Sequence, residues 1–482
     1  MSTVKEFGYD RRRIEAGIAH IGVGNFHRAH EEYYTNQLLE QADQRNWGIC
    51  GIALLPSDEA LVNALRRQQG EYTLTVCGRD GRDEVFRIGS LIELLWSVEA
   101  PEAVIAKLAD PAIKIISMTI TEGGYNLDKA SGEFMLADEK VQHDLKNPAA
   151  PVTVFGFIAA GLRRRMELAN GPVTILSCDN LQHNGNTARR AFMAFIEAQD
   201  RTLAGWVEAN VTFPNSMVDR ITPAVRPADR ERLNAANGTA DAAPVYCEDF
   251  IQWVIEDKFS AGRPAWERVG VDFTDDVTAF ENMKLSLLNA SHTMLSYPAF
   301  LAGYRKVDDA MHDERFVRYL RDFMDRDITP YVPAPGTINL AEYKQTLLER
   351  FGNRSVSDQL ARLCFDGVSK IPVYLAPNLA KMLRDGADLT RVAFFAAVYR
   401  HYLKGPADDR GQAYAVDEPW LTAADRQLIA EDDAVAFLAL SPFASVDLQC
   451  DARFVALYRK MAADVEADGT LPVLEAILSP GR

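Results

Sequence analysis

The segment from Glu281 to His292, ENMKLSLLNASH, contains side chains that can move a proton. Lys284 is followed by Asn289 after five residues and by His292 after three more. On an α-helix that turns ~100° per residue, Lys284, His292 and Asn289 lie at about 0°, 80° and 140°, with Glu281 at about 60°. The four side chains therefore share one side of a predicted helix, and Lys284 is a candidate general base.

The residues around Lys284 predict that this helix is largely buried, because they include Leu285, Leu287, Leu288, Met294 and Leu295. A buried lysine loses the hydration that favours its charged form, so we expect its pKa to fall toward neutrality. The alternative is structural: Lys284 extends to solvent, and Asn289 and His292 are satisfied polar groups of the core.

The composition describes a globular protein with more than one core. The chain has 482 residues, of which 48% are hydrophobic and 25% charged, so two domains are expected. A formal net charge of −16 argues against general affinity for nucleic acid or anionic membranes and favours a small polar ligand. The first residues lack the apolar core of a secretion signal, and no apolar run is long enough to span a membrane, so we expect a cytoplasmic protein.

The six cysteines are scattered, with no CxxC pair and no histidine at ligand spacing. Free buried thiols are the expected state, and no metal site is predicted. A catalytic zinc held by ligands from distant parts of the chain is the alternative.

A glycine turn follows the first apolar strand, which is predicted over residues 17–23. A helix through about Gln41 comes next. The turn has the first two glycines of the dinucleotide fingerprint, but His27 stands where a third glycine would be. The turn and the start of the helix offer backbone N–H groups to a pyrophosphate. The candidate cofactor residues are Gly22, Gly24, Asn25 and Phe26, and a plain structural turn is the alternative.

Asp58 follows the second predicted strand, which covers residues 47–55. An acid at this strand end can accept hydrogen bonds from an adenosine ribose, which favours NAD over NADP. Asp58 lies a few residues beyond the usual place for that acid, and the alternative is that it starts the next helix.

Two later strands also end in polar loops. The strand over residues 113–118 leads into Thr119–Tyr125, which contains Glu122, and the strand over residues 173–178 leads into Asp179 and Asn180. Open α/β sheets bind ligands at the carboxyl ends of their strands. Asn180 can donate its amide to an oxygen that becomes negative during reaction, or it can cap the helix that begins near Asn184.

The order of elements predicts an α/β fold. Residues 1–280 are expected to form a Rossmann-type NAD-binding domain with insertions, one of them a pair of strands around the turn Asp80-Gly81. Residues 281–482 are expected to form a mainly α-helical substrate domain.

Several segments together resemble the polyol-specific long-chain dehydrogenase family, and within it the mannitol 2-dehydrogenase branch. The segments occur in the family's order along most of the chain: GVGNFHRAH at 22–30, ITEGGYN at 120–126, SCDNLQHNG at 177–185, FPNSMVDRITP at 213–223, EDFIQWVIED at 248–257, KLSLLNASH at 284–292 and DGVSKIPVYLAPNL at 366–379. The resemblance implies metal-independent oxidation of a secondary alcohol by NAD, with D-mannitol and D-fructose as the leading pair, in a cleft between the domains. It also favours a monomer.

The resemblance assigns roles to the candidate residues. Lys284 is the general base, and Asn180 and Asn289 match the amides that hold the reacting oxygen. His292 matches the histidine that orients the substrate. Glu122 and Glu281 match acids that relay the proton to water, although either can be an ordinary surface or loop carboxylate.

Asp219, Arg362 and Lys370 match positions that line the polyol site. Their structural alternatives are an ion pair of Asp219 with Arg220 or another basic residue and a solvated helix face for Arg362.

Three other functions remain open. Arg362 and Lys370 keep a fructuronate or tagaturonate reductase under consideration, because such substrates carry a carboxylate. D-Arabinitol or D-sorbitol is an alternative polyol, and a catalytically silent nucleotide sensor is a different class of protein.

Overall fold

The computed structural model describes residues 3–128, 131–336 and 338–479. The chain divides into two compact units, Met1–Thr278 and Ala279–Arg482. The domain boundary predicted from the sequence falls after residue 280. No helix among the described residues is both long and apolar enough to cross a membrane.

The first unit combines strands and helices. Its described strands, β1 to β13 in chain order, are Val4–Lys5, Ala16–Ile21, Gly48–Ala53, Tyr72–Cys77, Asp83–Ile88, Leu91–Trp96, Ile115–Met118, Val173–Ser177, Val211–Thr212, Ser216–Asp219, Val245–Glu248, Gln252–Glu256 and Asp272–Thr274. Its described α-helices, α1 to α9, are Asn25–Ala29, Glu31–Leu38, Glu59–Arg67, Pro101–Ala109, Glu139–Lys146, Val154–Glu167, Asn184–Gln199, Arg201–Asn210 and Pro227–Asn237.

Six strands form a parallel sheet in the order β6-β3-β2-β7-β8-β9. Counted within this sheet alone, the order is 3-2-1-4-5-6, the arrangement of dinucleotide-binding Rossmann folds. Neighbouring residues such as Ile115 and Ile116 enter different hydrophobic clusters because they point to opposite faces of β7. Both faces of the sheet are therefore covered, as parallel sheets require.

Two smaller sheets extend this core. The predicted strands around Asp80-Gly81 are β4 and β5, which pair antiparallel. They join β1 and β11 in a four-stranded sheet, while β10, β12 and β13 form a three-stranded one. The insertion predicted from the sequence is confirmed, and β6, which follows the hairpin, returns to the parallel sheet.

The helix predicted through about Gln41 is two helices. It breaks at His30, whose backbone angles, φ −120° and ψ −85°, are not helical, so α1 has only five residues and α2 ends at Leu38. The expectation of one long helix behind the glycine turn is wrong, because residues 22–41 keep their apolar pattern across the break.

The second unit is helical. Its described α-helices, α10 to α21, are Thr278–Lys284, Ala290–Leu301, Val307–Met311, Glu314–Asp322, Leu340–Phe351, Leu360–Cys364, Gly367–Tyr374, Ala376–Asp385, Thr390–Lys404, Ala423–Ala430, Ala452–Asp468 and Thr470–Leu478. Two π-helical segments, Leu285–Asn289 and Phe323–Ile328, interrupt the α-helical geometry. The α/β fold class with a mainly helical C-terminal half is confirmed.

Candidate active site

The first glycine turn lies at the point where the order of the parallel sheet reverses, between β2 and β7. Gly22 has φ +99°, and a Cβ added there would lie 2.2 Å from the carbonyl oxygen of Thr119, which follows β7. Glycine is required at this position for its backbone angle and for the close approach of the two chains. The carboxyl edge of the sheet at this point is where Rossmann folds bind dinucleotides.

The next residues leave one side of the turn open. A Cβ added to Gly24 would meet no atom of the described residues within 4 Å, so a ligand can approach this backbone. Asn25 donates to the Pro223 carbonyl at 3.2 Å and accepts from Arg28 at 2.6 Å, while Phe26 stacks on His30. Because α1 has five residues, its dipole is small, and any anion there would bind chiefly to main-chain N–H groups.

Below the turn, His27 replaces the third glycine and is buried. Its ring stacks on His20 of β2, with centroids 3.4 Å apart and planes inclined by 10°. Its nitrogens lie 3.1 Å from a Glu31 oxygen and 3.0 Å from a Glu32 oxygen. Burial lowers the pKa of His27, but the two carboxylates outweigh it and raise this pKa overall. An ion-paired network, which the sequence reasoning missed, thus fixes α1 and α2 on the strand.

His20, His27 and Glu31 also bring three potential metal-ligating atoms within 4.8 Å of one another. An imidazole-bound zinc ion lies close to the ring plane, ~2.0–2.1 Å from the nitrogen. No point within bonding distance lies in both stacked planes, and Nδ1 of His20 is 2.7 Å from Glu31. We therefore interpret this cluster as ion pairs and hydrogen bonds.

Asp58 lies at the end of the 3₁₀ turn Pro56–Asp58, beyond β3, and is partly exposed. Its carboxylate accepts the main-chain N–H of Leu55 at 3.0 Å. Asp58 occupies the N-cap position of α3, which begins at Glu59, so it stands at the start of this helix as the alternative expects, but its side chain makes no capping hydrogen bond. Its carboxylate instead stabilises the turn at the strand end.

The loops after β7 and β8 carry Glu122 and Asn180, and both residues are exposed. Asp179, buried between them, accepts hydrogen bonds from the loop that contains Glu122. The helix α7 has His183, with φ 50°, at its N-cap position, and the N–H of Asn186 in its first turn donates to Asn215 Oδ1 at 2.9 Å. Asn180 lies three residues before this N-cap position.

Lys284 is the last residue of α10, directly before the π-helical segment. Its relative exposure is 7%, and Met283 and Leu287 beside it have no accessible surface. The alternative in which Lys284 extends its side chain to solvent is therefore wrong.

The π-helical segment changes the angles predicted for this helix. The N–H of Ala290 donates to the carbonyl of Leu285, five residues back instead of four. A π turn holds one more residue than an α turn, so Asn289 and His292 take the places of the fourth and seventh residues after Lys284. Their angles become about 40° and −20° instead of 140° and 80°. The π turn therefore brings the side chains of Lys284, Asn289 and His292 into a narrower range of angles around the helix axis than a regular α-helix would.

His292 differs in burial from its neighbours on α11, the helix after the π segment. Every residue of α11 is buried except His292, which is partly exposed and stacks on Phe351 with ring centroids 4.1 Å apart. The amide oxygen of Asn289 is buried, and no donor among the described residues lies within hydrogen-bonding distance of it. Asn289 is therefore not the satisfied core amide of the structural alternative. Glu281 is buried within α10, so it is not a surface carboxylate.

The three candidate polyol-site residues have different surroundings. Asp219 is buried at the end of β10, and the neighbouring Arg220 donates to the carbonyls of Glu248 and Ala29. Arg362 is exposed on α15, and its Nε donates to Asp358 at 2.8 Å, as expected for a solvated helix face.

Lys370, on α16, donates to the carbonyls of Leu363 and Phe365. Burial and the nearby Arg362 charge lower the pKa of Lys370.

Two family descriptions match successive parts of the chain. Residues 16–268 match the mannitol dehydrogenase Rossmann domain, and residues 276–465 match the mannitol dehydrogenase C-terminal domain. The chain belongs to the mannitol dehydrogenase family. The resemblance predicted from the motifs is confirmed, and as a member of this family the protein is a dehydrogenase.

Other members of the family are similar over nearly the whole chain. A polyol:NADP oxidoreductase of Gluconobacter oxydans is 43% identical over 437 residues, which are 90% of each chain. A substrate-free D-sorbitol dehydrogenase structure has a TM-score of 0.93 at 40% identity and covers 98% of both chains. The Pseudomonas fluorescens mannitol 2-dehydrogenase, solved as a ternary complex with NAD and D-mannitol, has a TM-score of 0.86 at 43% identity, covering 98% of this chain and 96% of the other.

Proposed function

We propose that the protein catalyses NAD-dependent oxidation of D-mannitol to D-fructose and the reverse reduction, without a metal ion, with Lys284 as the general acid and base. The observation that carries this proposal is the buried Lys284 at the start of a π-helical segment that turns Asn289 and His292 toward the same face. Single π turns inside α-helices are frequent at functional sites. The relative solved with NAD and D-mannitol supports the choice of cofactor and substrate.

The glycine turn fits a dinucleotide. Gly22 holds the backbone close to the loop after β7, and the open space around Gly24 leaves room for a pyrophosphate. Gly22, Gly24, Asn25 and Phe26 would hold the phosphates, and Asp58 the adenosine ribose. When bound, NAD accepts the hydride that the substrate carbon loses.

Lys284 accepts the proton that the reacting hydroxyl loses as the hydride leaves the carbon. In the oxidation direction the neutral amine of Lys284 takes the proton of the reacting hydroxyl, and the carbon–oxygen bond becomes a carbonyl. In the reverse direction the ammonium returns this proton to the oxygen. The burial of Lys284 supports this role, because a lysine removed from water loses the hydration that favours the charged form.

Amide and carboxylate groups assist this transfer. Asn180 and Asn289 hold the reacting oxygen, and the preorganised N–H groups stabilise its negative charge. His292 orients the substrate, and it is the one residue of α11 that is not buried. Glu281, buried one helical turn before Lys284, and Glu122 pass the proton to water.

Asp219, Arg362 and Lys370 contact the polyol hydroxyls in this proposal. Arg362 already pairs with Asp358, and Lys370 already donates to two carbonyls, which leaves fewer of their N–H donors for a substrate carboxylate. This favours a neutral polyol over the fructuronate alternative.

Polyol identity and cofactor choice each have a second candidate. The TM-score of 0.93 with a D-sorbitol dehydrogenase favours D-sorbitol as the second substrate, and D-arabinitol is a further one. NADP is the second candidate cofactor, because one relative is a polyol:NADP oxidoreductase. The Asp58 carboxylate at the adenosine ribose would repel the 2′-phosphate of NADP, which favours NAD.

Initial rates of NADH oxidation with D-fructose test this proposal, beside D-fructuronate at the same concentration and beside NADPH in place of NADH. We expect turnover with D-fructose and NADH, and chromatography should identify D-mannitol and not D-sorbitol as the product. Turnover only with D-fructuronate would overturn the proposed substrate and assign Arg362 or Lys370 to its carboxylate.

We also propose that the protein works as a monomer, as the family resemblance favours. Sedimentation should then give the mass of one chain, 53.6 kDa.

A further inference from the structure

One buried carboxylate connects two strand ends at the carboxyl edge of the Rossmann sheet. Asp179 follows β8 and is 6% exposed. Its Oδ1 accepts the N–H of Thr121 at 2.8 Å, and its Oδ2 accepts the N–H of Ile120 at 3.1 Å and the hydroxyl of Tyr125 at 2.7 Å. All three donors belong to the loop after β7, so Asp179 fastens that loop to the end of β8.

The loop is held in a conformation that it would not adopt alone. Thr121 has φ +64° and ψ 166°, a region that is close to glycine-only and disfavoured for a β-branched residue. Its N–H is bonded to Asp179, and its carbonyl accepts from Gly124 in the 3₁₀ turn Glu122–Tyr125. Such strain persists only where the surroundings determine the backbone, and here Asp179 supplies those bonds.

The main chain of Asp179 is fixed as well. Its carbonyl accepts from the side chain of Asn184 at 3.1 Å and from the N–H of Leu181 at 2.9 Å. Asn180 stands between Asp179 and Leu181 in the chain, so it belongs to this fixed stretch of main chain. Asp179, which fastens the loop that contains Glu122, is therefore also the immediate neighbour of Asn180, the proposed oxyanion donor.

We propose that Asp179 is a positioning residue of the reaction, which sets Glu122 and Asn180 relative to each other by fastening the loop after β7 to the end of β8. This inference rests on the proposed function, because that function gives Glu122 and Asn180 their roles. Asp179 itself touches neither the substrate nor the cofactor in this account.

The bonding pattern requires a carboxylate. Two N–H groups and one hydroxyl point at Asp179, and only an ionised carboxyl accepts on both oxygens without placing a donor against them. Burial raises the pKa of Asp179 to about 6, although Tyr125 and the two N–H groups act in the opposite direction. The groups that face it are Tyr125, the Glu122 carboxylate, which adds to the rise, and the Cys178 thiol beside it.

The test compares Asp179→Asn with a matched control, Asp144→Asn. Asp144 is also buried and also accepts from two N–H groups and one hydroxyl, those of Val152 and Thr153, but it lies on α5 and has no part in the proposed mechanism. We expect Asp179→Asn to lower kcat at least about tenfold, to leave the Kd for NADH within about twofold, and to raise the isotope effect on kcat with D-mannitol deuterated at C2. Asp144→Asn should lower stability without these kinetic changes.

Tyr125→Phe provides a milder variant should Asp179→Asn fail to fold. It removes one of the three donors and should lower kcat about threefold in the same direction. An unchanged kcat and isotope effect in Tyr125→Phe and Asp179→Asn, or an equal loss in Asp144→Asn, would overturn the positioning role.

Hydrogen exchange separates this inference from the proposed function. The amides of Ile120 and Thr121 should exchange faster in Asp179→Asn than in the parent protein, whatever the substrate is. A parent protein that turns over no polyol would overturn the proposed function, and exchange at these two amides would still decide whether Asp179 fastens the loop. Unchanged exchange would overturn the inference itself.

Discussion

Asn289 carries an amide oxygen that is buried and meets no donor among the described residues. Leaving a buried acceptor unpaired costs about 1–3 kcal/mol, so a ligand group that donates to it would be stabilised there. The sequence identified Asn289 as a candidate because of its spacing from Lys284. It did not reveal the missing donor, because hydrogen-bond partners depend on neighbours that are distant along the chain.

Replacing Asn289 by alanine should lower kcat by about 10²–10³, because a preorganised donor to the reacting oxygen is lost. Asn282→Ala is the matched control, since Asn282 lies on α10, directly before the π-helical segment, and is exposed. Steady-state rates with D-mannitol and NAD measure both variants. Equal kcat values for the two would contradict the role of Asn289.

Gly22 and Gly24 make different demands on the backbone. Gly22→Ala should destabilise the protein by about 1–3 kcal/mol, because its φ is +99° and the new Cβ would lie 2.2 Å from Thr119. Gly24→Ala should leave stability within about 0.5 kcal/mol but weaken NADH binding, because the new methyl group fills the open side of the turn. Urea unfolding and fluorescence titration with NADH measure the two effects. Equal destabilisation would contradict this distinction.

At the scale of elements, the sequence predicted the strands better than the helices around the site. The apolar runs that predict β2, β3, β7 and β8 end at a glycine, a proline or a polar residue, so these four strands lie within two residues of their predicted limits at both ends. The π turn was not predictable, because LSLLN has the same apolar pattern in either helical geometry. The break at His30 was missed for the same reason.

The π turn has a buried hydrogen bond to a neighbouring helix. Asn378 of α17 donates to Ser286 Oγ at 2.8 Å, and both side chains are buried. Ser286→Ala and Asn378→Ala should each destabilise the protein by about 1–3 kcal/mol, because each leaves its partner unpaired. Their effects should not add, since the same bond is lost in both. Urea unfolding of the two single variants and the double variant measures the coupling, and full additivity would contradict it.

The loop after β7 should respond to pH through Asp179. The pKa of Asp179 is raised from 3.8 to about 6, chiefly by burial, so the folded protein binds a proton more tightly than the unfolded chain does. Its contribution to the free energy of unfolding is therefore largest below pH 4, declines as pH rises to about 6, and is constant above. Asp179→Asn should remove this decline from the urea-unfolding profile. A profile parallel to that of the parent protein would contradict the assignment.

At the scale of the whole molecule, the sequence predicted the class of fold and the family, while the substrate stays a proposal. The order of the motifs along the chain was enough for the family, because a long ordered set is far more specific than one glycine turn. Arg362 shows why the substrate is harder to predict. An arginine can bind a substrate carboxylate, and the sequence alone allowed that role. Its ion pair with Asp358 forms only when the folded chain brings the two side chains together.

The central claim is metal-independent polyol oxidation with Lys284 as the general base. The most direct test is the initial rate of NADH oxidation with D-fructose in the presence of EDTA, for the parent protein and for Lys284→Ala. We predict that EDTA leaves the parent rate unchanged and that Lys284→Ala lowers kcat by about 10²–10⁴ while it still binds NADH. A parent enzyme that EDTA inactivates, or a Lys284→Ala variant that turns over at the parent rate, would contradict this account.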